Sequence, residues 1–388
     1  MTSQGLAAEL AALPSDLRQR LTHHGFDERR LLALAGTLTG SGSAGADRNR
    51  VKGPVRAPDP NEILPFPSGA ERDACRARGE AALAAGEVAM CVLAGGMATR
   101  MGGVVKALVE VFPGTTFLDL RLAENRALAE RYHHPFPLWL MTSDATDAPT
   151  REALRARNAA ASIAPFVQEL SLRLTPEGAL FRDDTGMPST YAPGHGDLPD
   201  ALRRSGLLGE FRKKSPNGVV VLANLDNLGA TVDPVVIGVF LREREAHGAK
   251  VMVEVCDKVA GDKGGAPVHA EGRLQVLEEF RMPEGFDPSQ VRVFNSNTFV
   301  VDARSLDETP VDWSFFHVEK TAFGRKAVQF ERLIQELTKA MPAAYLRVPR
   351  DGAESRFLPV KDMGELERRR PEIEAVARSR GFLYASPR

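Results

Sequence analysis

The rhythm of apolar positions changes twice along the chain. Over residues 6–36 the leucines Leu10, Leu13, Leu17, Leu21 and Leu31 to Leu34 stand at helical spacing among Ala, Arg and Glu, which predicts short amphipathic helices. Residues 37–70 become poor in large apolar groups and rich in Gly, Ser, Asp and Pro, as in Gly40-Ser41-Gly42-Ser43 and Pro58-Asp59-Pro60. That composition predicts a mobile loop or linker. From residue 88 onward, apolar runs of strand length alternate with helical periodicity. The runs predict strands over Val88 to Leu93, Phe136 to Met141, Val219 to Asn224, Lys250 to Val255, Leu274 to Glu279 and Val291 to Val301. Helices are predicted over Leu118 to Tyr132, Thr150 to Asn158, Leu198 to Phe211, Pro234 to His247 and Val328 to Ala340. Strand followed by helix, repeated, is the signature of an α/β domain with a mostly parallel sheet. The absence of an internal repeat argues against a solenoid.

Composition narrows the function classes. A net charge of -1 over 388 residues gives no bulk attraction to nucleic acid or to an anionic membrane, so an anionic ligand must be held by a few local cations. Cys75, Cys91 and Cys256 form no CxxC pair and are odd in number, which disfavours a disulfide framework or a cysteine zinc site and suits a reducing cytoplasm. No apolar run approaches a membrane span, and Met1-Thr2-Ser3-Gln4 opens no signal-like segment. The expectation is a cytoplasmic protein. HExxH, GxSxG and paired Cys-His patterns do not occur, so metalloprotease, esterase and thiol-hydrolase chemistry lack their parts. Arg368-Arg369-Arg370 has no interleaved aromatics and reads as a solvated helix face.

The candidate chemistry gathers at the polar ends of the apolar runs. Leu93-Ala94-Gly95-Gly96 and the segment to Lys106 follow a strand. Paired glycines let backbone N–H groups approach a phosphate or base closely, and Arg100 and Lys106 bring positive charge to the same edge. The spacing matches neither the dinucleotide fingerprint nor the Walker pattern, and a plain Gly-rich turn is the bland alternative. In Pro193-Gly194-His195-Gly196-Asp197 the histidine sits on closely approachable backbone and can donate to a phosphate or sugar oxygen; a merely solvated loop histidine is the alternative. The run Val219 to Asn224 turns polar at Leu225-Asp226-Asn227. Ligands of open α/β sheets gather at the carboxyl ends of the strands, where Asp226 could face a phosphate-bound Mg²⁺, or the same residues could make an Asx turn. Glu254, Lys263-Gly264-Gly265, Glu278, Phe294-Asn295-Ser296-Asn297 and Ser355 to Lys361 complete the set.

Taken in order, these strings are similar to the UDP-glucose pyrophosphorylase family, the UTP:glucose-1-phosphate uridylyltransferases. The resemblance runs from about Leu93 to Lys361 and includes Thr116 to Leu120, Pro137 to Ser143, Asn224 to Asp233 and Arg356 to Lys361. It implies a Rossmann-like, GT-A-like nucleotidyltransferase fold, a mixed and mostly parallel sheet with helices on both faces. The implied organisation is an N-terminal helical segment and linker over 1–70, a catalytic domain over 71–345, and a short C-terminal segment over 346–388. The C-terminal β-helix domain of larger relatives is expected to be absent, with a monomer or weak dimer as the consequence. By resemblance, Leu93, Ala94, Gly95 and Gly96 lie against the nucleotide, Gln168 reads the uracil edge, and Gly194 lies near the uracil. His195 is implied near the sugar phosphate, with Asn224, Leu225 and Asp226 at nucleotide, sugar phosphate and Mg²⁺, and Glu278 and Asn297 on glucose hydroxyls. Lys106 and Lys361 look like the family's two phosphate-binding lysines, with Arg100 as a further catalytic cation.

The implied substrates are UTP and glucose 1-phosphate, with no nucleic acid or membrane partner. The implied chemistry explains why no nucleophile was found: the phosphate oxygen of glucose 1-phosphate is already ionised and attacks the α-phosphorus of UTP in line, so positioning and charge neutralisation suffice. Ala98 stands where the family loop usually has Gly, and Val104-Val105-Lys106 replaces Gly-Pro-Lys. Two alternatives accompany this reading. One is a uridylyltransferase for another sugar 1-phosphate; relatives using the acetamido sugar usually carry Gly-Asn-Gly-Gly where Gly194-His195-Gly196-Asp197 stands. The other is a non-catalytic UDP-sugar-binding regulatory protein.

Overall fold

The structure, a computed structural model, describes residues 3–38, 47–98, 101–259, 261–262 and 264–383. Its frame is a seven-stranded sheet of β1 (Val88–Leu93), β2 (Leu138–Thr142), β3 (Ile163–Val167), β4 (Val219–Asn224), β5 (Val251–Asp257), β6 (Val293–Asp302) and β7 (Ala343–Arg347), in the order β7-β5-β6-β4-β1-β2-β3. Strand β6 runs antiparallel to both neighbours, and every other pairing is parallel. Because successive side chains of a strand point to opposite faces, Val88, Met90 and Val92 enter one core while Ala89 and Cys91 enter the other. Helices Gly69–Ala84, Phe117–Tyr132, Pro234–His247 and Met363–Ser379 cover the first face, and Leu198–Ser205, Leu207–Lys214 and Ala303–Glu308 the second. The expected α/β architecture with helices on both faces is therefore present. No described helix is long and apolar enough to cross a membrane.

Strands β1 and β4 match their predicted bounds, and β2, β5 and β6 lie within two residues of theirs. Several expectations are corrected. Leu274 to Glu279 does not join the main sheet; Arg273–Leu277 pairs with Ala266–Ala270 as a separate hairpin. The helix expected over Val328 to Ala340 is mostly absent. Residues Arg325–Glu331 instead form a strand against Phe316–Ala322, and only Leu337–Ala340 is α-helical, after a 3₁₀ turn over Ile334–Glu336. Cross-strand burial outweighs helix propensity there, because Val328 and Phe330 pack under Leu6, Leu10, Leu17 and Leu21 of the N-terminal helices Ser3–Ala11 and Ser15–His23. The helix expected over Leu198 to Phe211 breaks in two at Gly206, whose φ of 77° lies in the left-handed region.

The linker reading of 37–70 also changes. Residues 39–46 fall outside the described residues, while 47–68 lie across the molecule by backbone pairing. Val51 N–H donates to Arg281 O, Arg56 and His269 exchange bonds at 3.1 and 2.9 Å, and Leu64 N–H donates to Tyr345 O at 2.8 Å. The C-terminal helix sends Leu366, Ile373 and Val376 into the same core as β1 and β4.

Helices Gly69–Ala84 and Pro234–His247 cross at two glycines. A Cβ on Gly79 would lie 1.9 Å from Pro234 O, and one on Gly238 would lie 1.7 Å from Cys75 O. Contact this close is open only to glycine, and backbone cannot yield as a side-chain tip can. We expect Gly238→Ala to push the helices apart and cost at least about 2 kcal/mol, the scale of overpacking a filled core. Urea unfolding of the variant measures it; an unchanged midpoint would contradict the crossing.

Candidate functional site

The carboxyl ends of β4, β1, β2 and β3 lie side by side and deliver Asn224, Leu93, Thr142 and Val167 to one edge. The turn after β1 is held from both sides. Leu225 N–H donates to Leu93 O at 3.3 Å, Ala94 N–H to Met141 O at 2.8 Å, and the Ser143 hydroxyl to Gly95 O at 2.9 Å. Gln168, one residue beyond β3, is 7% exposed and folds back so that its amide nitrogen would sit 2.6 Å from a Cβ on Gly95. A side chain at position 95 would displace the Gln168 amide from where it lies against the turn. Gly96 is exposed and its backbone O accepts Lys106 N–H at 3.2 Å. The structure therefore brings Leu93, Ala94, Gly95, Gly96 and Gln168 together. Arg100 and Lys263 lie outside the described residues.

The charged centre forms across three distant segments. Lys106 Nζ lies 2.5 Å from Asp226 Oδ2, and both side chains are partly buried. Val360 N–H donates to Asp226 O at 3.1 Å, which seats the backbone of Lys361 beside the aspartate loop. Lys361 itself is exposed; its N–H donates to Glu365 Oε2 at 2.8 Å, and its ammonium acts electrostatically on Asp262. On the antiparallel strand, Asn297 adopts a φ of 58° and its amide donates to Asn224 Oδ1 at 2.9 Å. The two asparagine amides form one polar surface next to Leu225, whose own side chain is buried.

His195 and Glu278 meet through the segment Ile334–Glu336, a single 3₁₀ turn. Ile334 N–H donates to His195 Nδ1 at 3.0 Å, and Gln335 Nε2 donates to Glu278 Oε1 at 2.5 Å. A ring nitrogen that accepts a backbone N–H carries no proton, so the neutral imidazole has its hydrogen on Nε2. Burial pushes the His195 pKa down to about 4, which keeps the ring neutral and a donor near pH 7. Burial raises the Glu278 carboxyl above its ordinary range. Gly194 and Gly196 are glycines for packing: Cβ atoms there would lie 2.5 Å from Arg332 O and 2.6 Å from Arg332 C. Asp197 is fully buried and accepts Glu169 N–H, tying this loop to the residue after Gln168. It is a structural clamp.

Several residues that organise the site carry no motif of their own. Arg121 donates to Ala230 O and Asn227 O, each at 2.8 Å, and to Asn224 O at 3.3 Å. Arg356, 1% exposed, forks onto Glu254 at 2.7 and 2.5 Å and donates to Thr231 O at 2.9 Å. Burial works against its charge, yet the facing carboxylate raises its pKa. Asn227 donates to Arg356 O at 3.1 Å and accepts Leu358 N–H at 2.8 Å, while its bond from Gly229 N–H at 3.3 Å is the Asx turn that the polar sequence also allowed. Among the described residues, the group of three or more close metal-ligand atoms is Asp59, Glu62 and His269, which does not include Asp226. Asp226 offers one carboxylate, enough only for an ion that takes its other ligands from water and substrate.

Residues 57–370 match the family described as UTP–glucose-1-phosphate uridylyltransferase. The chain is similar to the barley (Hordeum vulgare) protein of that description, with 32% identity over 290 residues, 71% of this chain and 59% of the relative. It is 28% identical to the Saccharomyces cerevisiae one over 332 residues, covering 80% and 64%. The chain thus spans about three-fifths of the length of these curated relatives. Among solved structures, a Leishmania major UDP-glucose pyrophosphorylase mutant in complex with UDP-glucose superposes with a TM-score of 0.64 at 22% identity, over 94% of this chain and 78% of that one. A Trypanosoma brucei UDP-N-acetylglucosamine pyrophosphorylase bound to an inhibitor gives 0.69 at 18%, over 88% and 74%. At these identities the likeness is one of fold.

Two outcomes follow from the site's electrostatics. Glu254→Gln strips the forked countercharge from a buried guanidinium, leaving it only Asp233 at 3.4 Å, and is expected to cost about 3–5 kcal/mol in denaturant unfolding; a loss below about 1 kcal/mol would mean the fork holds nothing. For His195, the folded pKa of about 4 lies below the 6.5 of a free imidazole. Its contribution to stability is therefore complete above pH 6.5 and is lost as pH falls towards 4, where the unfolded chain binds the extra proton. His195→Gln should flatten that part of the stability–pH curve, and identical slopes for variant and parent would refute the assignment.

Proposed function

Since the chain belongs to the UTP–glucose-1-phosphate uridylyltransferase family, we propose that it joins UTP and glucose 1-phosphate into UDP-glucose and pyrophosphate. The observation that carries this reading is the meeting of Lys106, Asp226 and the backbone at Lys361 beside the diglycine turn. A protein nucleophile is not needed. The sugar phosphate brings its own ionised oxygen, which forms a bond to the α-phosphorus while the bond to the β-phosphate oxygen breaks and pyrophosphate leaves. What the protein must supply is alignment and positive charge, fixed in place before the reaction begins.

The division of labour follows the strand ends. Gly95 and Gly96 leave backbone open to the uracil and ribose, and the buried Gln168 amide, pressed onto Gly95, supplies a donor and an acceptor for the pyrimidine edge. Gly194 extends the same wall. Asn224 and Asn297, joined to each other, together with Glu278 held by Gln335, present acceptors and donors suited to sugar hydroxyls. His195, neutral with Nε2–H available, donates to an oxygen of the sugar phosphate without adding charge. Lys106 releases its bond to Asp226 and turns to phosphate as the triphosphate enters; Lys361, next to the Val360 N–H that bonds Asp226 O, and Arg100 add further cations. Asp226 would hold a Mg²⁺ ion, which when bound would offset charge on the triphosphate.

Asp197 is spent on Glu169, so the choice of sugar falls to His195, Glu278 and Asn297. Pyrophosphate release over a panel of sugar 1-phosphates tests the substrate: glucose 1-phosphate should be preferred, and no turnover with it would overturn the reading. Lys106→Ala and Lys361→Ala should each lower kcat by about a hundredfold or more, the scale of removing one preorganised electrostatic contact. UDP-glucose binding by calorimetry should persist in both. A kcat within twofold of the parent would remove these lysines from the mechanism.

A further inference from the structure

The helices Gly69–Ala84 and Phe117–Tyr132, the start of Pro234–His247 and the turn after Met363–Ser379 enclose a cavity of about 220 Å³. Its wall includes Arg72, Arg76, Arg131, Arg380 and Tyr132. The carboxylates in the wall are all committed. Glu124 accepts from Arg121 at 2.9 Å and from Val232 N–H at 2.8 Å, Asp233 accepts from Val235 N–H at 2.8 Å and from Arg356 at 3.4 Å, and Glu354 pairs with Arg72. Of the four arginines, Arg72 is taken by Glu354, and the other three have no carboxylate among the described residues. Among the described residues, Arg76 makes no hydrogen bond or ion pair, and Arg131 meets only the Tyr132 ring, at 5.9 Å. Arg380 donates to neutral oxygens alone: Gly229 O at 2.6 Å, Ser355 O at 2.8 Å, Glu354 O at 3.4 Å and the Thr231 hydroxyl. In addition, the Tyr132 hydroxyl and Arg72 Nε are buried without a partner.

Buried donors without acceptors are costly, and so is a half-buried guanidinium such as Arg76 or Arg380 without countercharge. Here they share one cavity, and a bound anion relieves both. We propose that this cavity is an oxyanion site, taking a phosphate group as inorganic phosphate or a small phosphomonoester, held by Arg76, Arg131 and Arg380 with the Tyr132 hydroxyl. Three guanidiniums match the multiple charge and the three or four oxygens of a phosphate group better than the single charge of a carboxylate. The volume is too small for a nucleotide, since sites for drug-sized ligands start near about 300 Å³. Arg380 bonds both the loop carrying Asp226, at Gly229, and the segment leading to Lys361, at Ser355. A ligand on Arg380 therefore touches the two segments that bear the charged centre. The site goes beyond the proposed reaction and does not rest on it.

Thermal unfolding of the purified full chain, titrated with inorganic phosphate at constant ionic strength, tests the site. About ten times the dissociation constant of phosphate should raise Tm by about 2–4 °C. The rise should persist in Lys106→Ala, which weakens the catalytic phosphate site, and should fall by at least two-thirds in Arg76→Gln/Arg131→Gln. The exposed Arg131→Gln alone should halve the response, which covers the case of a double variant that folds poorly. Calorimetry with glycerol 3-phosphate then separates the sources: tighter binding than phosphate assigns an esterified group, equal or weaker binding assigns the free ion. An unmoved parental Tm, an undiminished rise in both arginine variants, or a rise lost in Lys106→Ala would each overturn the proposal.

Discussion

Three arginines grip the backbone of the loop that follows β4, and the geometry of the charged centre depends on that grip. Arg121 reaches Asn224, Asn227 and Ala230, Arg356 reaches Thr231, and Arg380 reaches Gly229, all through carbonyl oxygens. The loop's own N–H groups reach Asn224 O, Asn227 O and Gly229 O at 3.3, 3.1 and 3.1 Å, and the guanidiniums add a further donor to each; a buried carbonyl left without any donor would cost a few kcal/mol. The guanidinium fork supplies several donors from one rigid plane. Arg356 is itself fixed by Glu254 on β5, so the loop is referenced to the sheet. The same interaction places the segment after Arg356, which Asn227 fastens from the opposite side. Asp226 and Lys361 thereby share one support although 134 positions separate them in the sequence.

A site that relies on placement needs supports of this stiffness. In the proposed reaction the substrates carry the nucleophile and the leaving group, and the protein contributes only where its dipoles and charges stand. The supports are correspondingly buried: Arg121, Arg332 and Arg356 are among the largest fully buried side chains. Each is paired with carboxylates or carbonyls in forked geometry. By contrast, the groups that would meet ligand, Lys106, Asp226, Lys361, His195 and Asn297, keep some exposure. In the proposed reaction, the ion pair between Lys106 and Asp226 would open as the triphosphate enters.

Much of this was legible in the residues. The apolar runs ending in Asn224 and Leu93 announced both the central strands and the edge where ligands gather, because a strand buried on both faces is continuously apolar and its polar end marks its exit. Strands β3 and β7 were not legible: Pro165 interrupts the first and Ala343-Ala344-Tyr345 is weakly apolar, so their pairing is set by neighbours already in place. The stretch from Val328 misled through its helical spacing, since its burial comes from N-terminal helices more than 300 residues earlier. Among site residues, the motif positions were visible as unusual polar strings. Arg121, Gln335 and Arg380 were not, because an arginine or glutamine on a helix reads as solvated surface until the fold shows the carbonyls it faces. Asp197 sits inside a visible motif yet serves to clamp Glu169, which spacing alone could not separate from contact with a ligand.

The two margins of the sheet are closed by unlike means. At β3, Pro165 has no N–H to offer a further strand. At β7, Leu64 bonds Tyr345 O and Arg347 N–H, occupying the ladder positions where another chain would dock. Unpaired strand margins invite neighbouring molecules to continue the ladder and aggregate. The proline-bearing ribbon before the first strand thus acts as a selvage, keeping a seven-stranded fabric from being woven onward by its neighbours.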